Sequence, residues 1–212
     1  MIEYVVPWNI DDRILSKAAR VLEDGGLVAL PTDTSWSICC SIHSRAGIEK
    51  LRSISGERDE RHFTLLCSEI NQFSEFCSID NSRFRIIKRL TPGPYTFILK
   101  SLHGAEKILQ RKRSELGVRI PNHPIPQRLI ETKMMPLYCI TAKREMAGEA
   151  INEEEHLEED DLFEGGWELD EIDGLDMILD GGEEEQRVVS TVLDMTGDDV
   201  VLLRQGEGKW PM

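Results

Sequence analysis

The chain has 212 residues, of which 40% are hydrophobic and 30% charged, and its formal net charge is −14. No apolar run approaches the roughly 20 residues that span a bilayer, and Met1–Tyr4 lacks the basic start of a signal peptide. We therefore expect a cytoplasmic protein with no membrane segment. The acidic excess is local: residues 149–185 contain 18 acidic residues and no Lys or Arg, whereas the remainder has 21 acidic and 25 basic residues. Such a run is typical of a solvated surface that repels nucleic acid, but the rest of the chain can accept an anion.

Cysteine and histidine show no metal-ligand spacing. The five cysteines are odd in number, two of them are adjacent at Cys39 and Cys40, and none forms a C-x-x-C pair. We expect them to be reduced and buried as small hydrophobic residues. The histidines lack ligand spacing as well, so no metal site is predicted; they are His43, His62, His103, His123 and His156.

The first half of the chain predicts helices that alternate with short strands. Apolar residues at helical spacing predict a helix over residues 11–23, which Gly25 and Gly26 end. An apolar run between Gly26 and Pro31 then predicts a buried strand over residues 27–30. Further patterns predict helices over 46–53, 71–77 and 82–90, and strands over 63–67 and 95–100.

The second half continues in the same way. The patterns predict helices over 104–112 and 125–131, and strands over 117–120, 137–141, 177–179, 190–194 and 200–204. A hairpin signal at 197–199 joins the last two strands. Because the sequence has no repeat and no Pro/Ser-rich linker, we expect one α/β domain over residues 1–212. It has a mixed sheet with flanking helices, and residues 149–185 lie within it.

Hydroxyl and cationic side chains occur at the ends of several predicted strands. In open α/β sheets such positions bind ligands, and these groups suit phosphate or carboxylate. The residues are Thr32, Thr34, Arg119, Thr141, Lys143, Arg144 and Arg204. Alternatively, residues 32–34 form a turn that caps its own backbone, and each arginine forms a surface ion pair. Arg119 is the strongest candidate, because an alternating strand buries either Arg119 or both its neighbours. Neither a Rossmann fingerprint nor a P-loop is present, and no Ser-His-Asp order is evident.

Five segments, in this order along the chain, resemble the YrdC-like family. They are GGLVALPTDT (25–34), TPGPYTFILK (91–100), GVRIPNHP (117–124), STVLD (190–194) and LRQGEG (203–208). The TPG-x-YTFILK form and HFTLLC (62–67) are most similar to the YciO branch. The resemblance implies a twisted, largely open α/β sheet with a concave, positively charged cavity.

The resemblance also implies a reaction. Active relatives condense L-threonine, bicarbonate and ATP, with Mg²⁺ accompanying ATP, into threonylcarbamoyl-AMP for threonylcarbamoylation of tRNA. The threonine amine forms a carbamate, which attacks the α-phosphate and displaces pyrophosphate. Since no covalent enzyme intermediate is required, the enzyme orients its substrates and neutralises charge. This makes the chain a nucleotidyltransferase with no assigned catalytic residue.

The resemblance carries residue roles over by position. The threonine-binding group is Thr32, Thr34, Arg119, Thr141 and Ser190, with Arg119 on the threonine carboxylate. The nucleotide-binding group is Arg58, Arg61, Lys143 and Arg204.

Three positions depart from the family pattern. The K-x-R motif is expected near residues 55–57, which read Ser-Gly-Glu, so Arg58 and Arg61 are the substitutes for its cations. The S-x-N motif reads Thr141-Ala142-Lys143, and Trp36 replaces the usual tyrosine. The residues expected to bind threonine match the family motifs better than those expected to bind ATP. We therefore expect weak synthase activity.

Two alternatives use the same fold without this chemistry. One is a protein that binds tRNA or double-stranded RNA through basic residues, and the other is a catalytically silent paralogue that binds a metabolite or a partner protein. The basic candidates are Arg83, Arg85, Lys88, Arg89, Lys107, Arg111, Lys112 and Arg113. RNA binding requires that they form a continuous surface and that affinity falls with salt.

Overall fold

A computed structural model describes residues 1–56, 63–103, 114–148, 159–182 and 187–210. Ten strands are present in these ranges: β1 (Ile2–Tyr4), β2 (Val28–Leu30), β3 (Ser37–Ser41), β4 (Thr64–Leu66), β5 (Tyr95–Lys100), β6 (Glu115–Arg119), β7 (Leu137–Thr141), β8 (Met177–Asp180), β9 (Thr191–Asp194) and β10 (Val201–Arg204). The α-helices of the same ranges are α1 (Asp12–Glu23), α2 (Arg45–Ser55), α3 (Ile70–Ser74), α4 (Asn81–Leu90) and α5 (Pro124–Lys133).

All ten strands join one mixed sheet, in the order β1-β8-β2-β3-β7-β4-β6-β5-β9-β10. Parallel pairs are β1 with β8, β8 with β2, β4 with β6, and β5 with β9; the other neighbours are antiparallel. The twisted mixed sheet with flanking helices confirms the predicted fold class. β9 and β10 pair as the predicted hairpin.

Three of the described helices, α1, α2 and α4, begin where a short polar side chain caps them. Asp11 accepts a hydrogen bond from the N–H of Arg13 at α1, and Ser44 accepts one from Gly47 at α2. Gly56, with φ of 63°, ends α2 in the left-handed conformation that glycine tolerates best. The observed helices therefore begin and end within a few residues of the predicted bounds. The predicted helix over 104–112 lies outside the described residues.

Two strands were not predicted. β1 is short and lies at an edge of the sheet, and β3 reads Ser-Ile-Cys-Cys-Ser with all five residues buried. The residue pattern does not predict β3, because both faces of this strand are covered and its residues do not alternate between apolar and polar types. β3 pairs with β2 on one side and β7 on the other.

Hydrophobic cores cover both faces of the sheet. On one face α1 and α5 pack over β2, β3 and β7, with Leu15, Leu129 and Cys139 among the buried residues. On the other face the larger core includes α2, α4 and the opposite side chains of the same strands. The central strands are thus fully buried, which fixes their register.

The described part of the acidic segment packs on the body of the protein. Residues 159–182 contain the 3₁₀ turns Glu159–Asp161 and Gly166–Glu171, then β8, and they bury Phe163 and Leu169. The expectation of a solvated run is therefore wrong for this part, because its apolar residues alternate with the acidic ones and point into the core. Residues 149–158 and 183–186 lie outside the described ranges.

All five cysteines are buried and free, as predicted. Burial raises the pKa of the Cys39, Cys40 and Cys67 thiols above their ordinary value. A protonated, buried thiol is a poor nucleophile, so these three cysteines contribute to packing. Within the described ranges no helix is both long and apolar enough to cross a bilayer.

Candidate functional site

The loop over residues 31–36 follows β2 and is held together by Thr32. The Thr32 hydroxyl donates to the carbonyl of Ser35 at 2.7 Å and accepts from the backbone N–H groups of Thr34 and Ser35 at 3.2 and 3.3 Å. It lies 3.2 Å from the Thr34 hydroxyl, and both side chains are buried. The expected alternative of a self-capping turn is thus correct for Thr32. The Thr34 carbonyl accepts from the N–H of Val188, which ties the loop to the segment before β9.

Arg119 ends β6 and points into the protein. Only 7% of the residue is exposed, although both neighbours, Val118 and Ile120, are buried too. Its Nη2 donates to Asp33 Oδ1 at 2.5 Å, in an ion pair between residues 86 positions apart. Asp33 is the carboxylate between the two threonines, so this contact brings the 31–36 loop to the end of β6.

A second arginine lies close to this pair. Arg204 ends β10, and its Nε and Nη2 donate to the Ser190 carbonyl at 3.1 and 2.9 Å, while Nη2 lies 3.3 Å from Ser190 Oγ. Ser190 Oγ is also 2.8 Å from the Thr96 hydroxyl of β5. Burial, and secondarily the nearby charge of Arg119, lowers the pKa of the Arg204 guanidinium. No carboxylate pairs with Arg204 among the described residues.

His123 completes this group. It precedes α5, and its Nδ1 accepts a hydrogen bond from the N–H of Ile125 at 3.3 Å. Burial lowers the pKa of His123 to about 4, although the nearby Asp33 carboxylate opposes that shift. The imidazole is therefore neutral at pH 7. We call Asp33, Thr96, Arg119, His123, Ser190 and Arg204 the arginine cluster.

Three members of the arginine cluster were not predicted as site residues. Asp33, Thr96 and His123 all lie inside segments that carry the family resemblance, which is the one signal that could have indicated them. His123 was passed over because its spacing suits no metal. In the folded protein His123 lies close enough to Asp33 for the carboxylate charge to act on the imidazole.

Thr141 and Lys143 connect to the site through the backbone. Thr141 ends β7 in register with Ser37, and the next N–H, of Ala142, donates to the Trp36 carbonyl at 2.9 Å. This places Thr141 beside the end of the 31–36 loop. Lys143 forms an isolated bridge with Leu162 in the acidic segment. The assignment of both residues to ligands stays a prediction.

Arg144 forms an ion pair with Glu168 at 2.5 Å, and the other predicted cations divide into three groups. Arg58 and Arg61, the substitutes for the K-x-R cations, lie outside the described residues, as do Lys107, Arg111, Lys112 and Arg113. Arg83 is used inside the protein, where it pairs with Asp80 and donates to the carbonyls of Met195 and Gly197. Arg85, Lys88 and Arg89 are exposed on α4. RNA binding by this surface stays a prediction.

The arrangement suits a small anion. The buried Arg119 and the partly buried Arg204 lie close together with one carboxylate, that of Asp33, on Arg119, and an excess of desolvated positive charge favours a ligand that supplies negative charge. Hydroxyl groups of Thr34, Thr96 and Ser190 lie nearby to complete its hydrogen bonds. The fold and this site together define an α/β protein in which strand ends and loops bring cationic and hydroxyl side chains together.

The chain belongs to the Sua5/YciO/YrdC family. The family's sequence profile, which carries the description "Telomere recombination", matches residues 20–206. The chain is 32% identical over 206 residues to the "Uncharacterized protein YciO" of Escherichia coli (strain K12). The alignment covers 97% of this chain and 95% of that protein. The crystal structure of E. coli YciO matches with a TM-score of 0.83 at 30% identity, over 99% of this chain and 97% of YciO.

More distant relatives have a named activity. The chain is 25% identical over 188 residues to the human threonylcarbamoyl-AMP synthase, covering 86% of this chain and 63% of the synthase. Pyrococcus abyssi Sua5, solved in complex with L-threonine, matches with a TM-score of 0.82 at 24% identity, over 97% of this chain and 57% of Sua5. The latter similarity shows a common fold. The profile match and the 32% identity to YciO confirm the family that the sequence motifs predict.

Proposed function

We propose that this protein binds L-threonine in the arginine cluster and joins it with bicarbonate and ATP to form threonylcarbamoyl-AMP, a precursor for tRNA modification. The observation that carries the proposal is the buried Arg119, which pairs with a single carboxylate and lies close to a second, partly buried arginine. Family membership supports the proposal, since relatives at 25% identity are named threonylcarbamoyl-AMP synthases.

Arg119 supplies the group that binds the threonine carboxylate. A guanidinium presents parallel N–H donors that match a carboxylate, and a charge-assisted hydrogen bond contributes roughly 1.5–3 kcal/mol. In the buried site water competes weakly for these donors, so the bond is at the strong end of this range. Thr34 lies beside Asp33 and can offer its hydroxyl to the same ligand.

Arg204 is the cation we assign to the nucleotide side. It is fixed by three contacts to Ser190, so its position costs little to organise when an anion binds. Its charge would stabilise the negative charge that develops when the carbamate attacks the α-phosphate and pyrophosphate leaves. We assign Lys143, Arg58 and Arg61 to the same nucleotide. Mg²⁺ enters with the ATP phosphates.

The proposal is tested by product formation. The purified protein is incubated with ATP, Mg²⁺, bicarbonate and labelled L-threonine, and labelled threonylcarbamoyl-AMP and pyrophosphate are measured. We expect both products in equal amounts and only when threonine is present. No adduct and no pyrophosphate, at enzyme concentrations equal to those of the substrates, would contradict the synthase activity. Binding of threonine without product would instead favour the silent paralogue.

The role of Arg119 is tested by Arg119→Lys, which keeps the charge and loses the planar pair of donors. We expect about 10- to 100-fold lower activity, the equivalent of one charge-assisted hydrogen bond. Arg13→Lys is the matched control, because the Arg13 side chain is 91% exposed and pairs only with its neighbour Asp11 among the described residues. Equal activity of the two variants would contradict the assignment.

A further inference from the structure

The ion pair between Arg119 and Asp33 uses only part of each group. The Nε and Nη2 atoms of a guanidinium form one edge that can bind both oxygens of a carboxylate. Here Asp33 Oδ1 takes Nη2 alone. Arg119 Nε and Asp33 Oδ2 are both buried, and neither has a hydrogen-bond partner in the part of the chain that the structure describes.

These two atoms, which lack partners among the described residues, favour a ligand that carries both a hydrogen-bond acceptor and a hydrogen-bond donor. Leaving a buried donor or acceptor unsatisfied costs about 1–3 kcal/mol, and most such groups in proteins are satisfied. Arg119 Nε requires an acceptor, and Asp33 Oδ2 requires a donor. An α-amino acid supplies both on adjacent carbons, as a carboxylate and an ammonium group. A carboxylic acid without the amine supplies the acceptor alone.

The surrounding charges favour an ammonium group at Asp33. His123 lies near Asp33 and is neutral at pH 7, so the imidazole does not compensate the carboxylate. Arg204 is close enough to Arg119 for their charges to interact, so these two guanidinium groups together disfavour a second cation beside Arg119. The side chain of Asp33 is only 13% exposed, so water screens its charge weakly.

We propose that Asp33 binds the α-ammonium group of the amino-acid substrate while Arg119 binds its carboxylate, so that the site selects a zwitterion. This rests on the proposed function and deepens it, because it identifies the residue that recognises the amine. Asp33 is then a specificity-determining residue as well as the partner of Arg119.

The test compares two ligands that differ in the amine. L-Threonine and (R)-3-hydroxybutanoate share the carboxylate, the methyl group and the β-hydroxyl, and only threonine has the ammonium group. Affinities are measured by isothermal titration calorimetry at pH 7 on the full chain. We expect the wild type to bind threonine about 10- to 100-fold more tightly, the equivalent of one charge-assisted hydrogen bond. Equal affinities would overturn the inference without any variant.

The variant Asp33→Asn separates recognition from a structural role. We expect it to weaken threonine binding at least tenfold and to leave the affinity for 3-hydroxybutanoate within about threefold, so that the preference disappears. If Asp33 only positions Arg119, both ligands weaken together and the preference persists, which would overturn the inference. Asp12→Asn, at a side chain that is 85% exposed, is the matched control and should retain the preference. Failure of the wild type to bind either ligand would instead overturn the proposed function.

Discussion

At the scale of single residues, His123 has surroundings that oppose its protonation. Its pKa of about 4 lies below the ordinary value of 6.5, so between these two values the unfolded chain binds a proton that the folded chain does not. The free energy of unfolding therefore falls as the pH drops from 6.5 to 4. One pKa unit corresponds to about 1.4 kcal/mol, so His123 alone removes at most a few kcal/mol.

We predict that His123→Asn makes stability less sensitive to acid. Asparagine can also cap α5 but does not titrate, so this part of the pH dependence disappears. Urea unfolding at pH 7.5 and 4.5 measures the difference between the two free energies of unfolding, which should be 1–3 kcal/mol smaller in the variant. His43→Asn, at an exposed histidine, is the control and should behave as the wild type. An unchanged pH dependence in His123→Asn would show that other groups dominate.

At the scale of elements, the turn after β10 holds Arg204 against Ser190. The N–H of Gly206 donates to Thr191 Oγ1 at 2.9 Å, and the N–H of Glu207 donates to the Val189 carbonyl at 3.0 Å. A Cβ on Gly206 would lie 2.2 Å from the Val189 carbonyl oxygen and 2.5 Å from the Ser190 carbonyl carbon. Backbone atoms cannot move aside as a flexible side chain can, so only glycine allows this close approach.

We predict that Gly206→Ala displaces this turn and disturbs the arginine cluster. Overpacking of this kind costs roughly 1–3 kcal/mol, and the loss of the contacts between Arg204 and Ser190 should weaken binding of ATP more than binding of threonine. Gly197→Ala in the hairpin between β9 and β10 is the matched control, since its nearest foreign atom is 4.0 Å from the added Cβ. Its melting temperature and ligand affinities should match the wild type. Equal effects of the two substitutions would contradict the role of Gly206.

At the scale of the whole molecule, the central strands of the ten-stranded sheet are covered on both faces, and every cysteine is buried. Cys39 and Cys139 are register partners on β3 and β7, at the centre of the sheet. Reaching them requires that the sheet opens, because local fraying of edge strands leaves the central pairs intact.

We predict that the five thiols react as one group on unfolding. An aromatic disulfide reagent at pH 8 should modify fewer than one thiol per folded chain and all five in guanidinium chloride. Because access requires global opening, the modification rate should follow the unfolding midpoint as denaturant increases. Fast labelling of one thiol in the folded protein would contradict burial of that cysteine.

Most elements follow from local chemistry, which is why they were predictable. The apolar spacing and the Asp11 cap define α1, and Pro92 prevents continuation of α4. The aromatic and β-branched residues of 95–100 define β5 with its observed bounds. β3 could not be predicted in this way because helices cover both of its faces, so its residues show no alternation between apolar and polar types. The packing of residues 159–182 on the body of the protein could not be predicted either, because their many acidic residues indicate a solvated surface.

The sequence by itself determined the family, the α/β class and the residue types that can hold an anion, because motifs and periodicity are local properties of the chain. Only the tertiary structure decided which of these groups meet. It pairs Arg119 with Asp33 across 86 residues, turns His123 toward the same carboxylate and aligns Arg204 with Ser190. Burial and charge at such contacts depend on all the elements that surround them, so they arise only when the ten strands form one sheet.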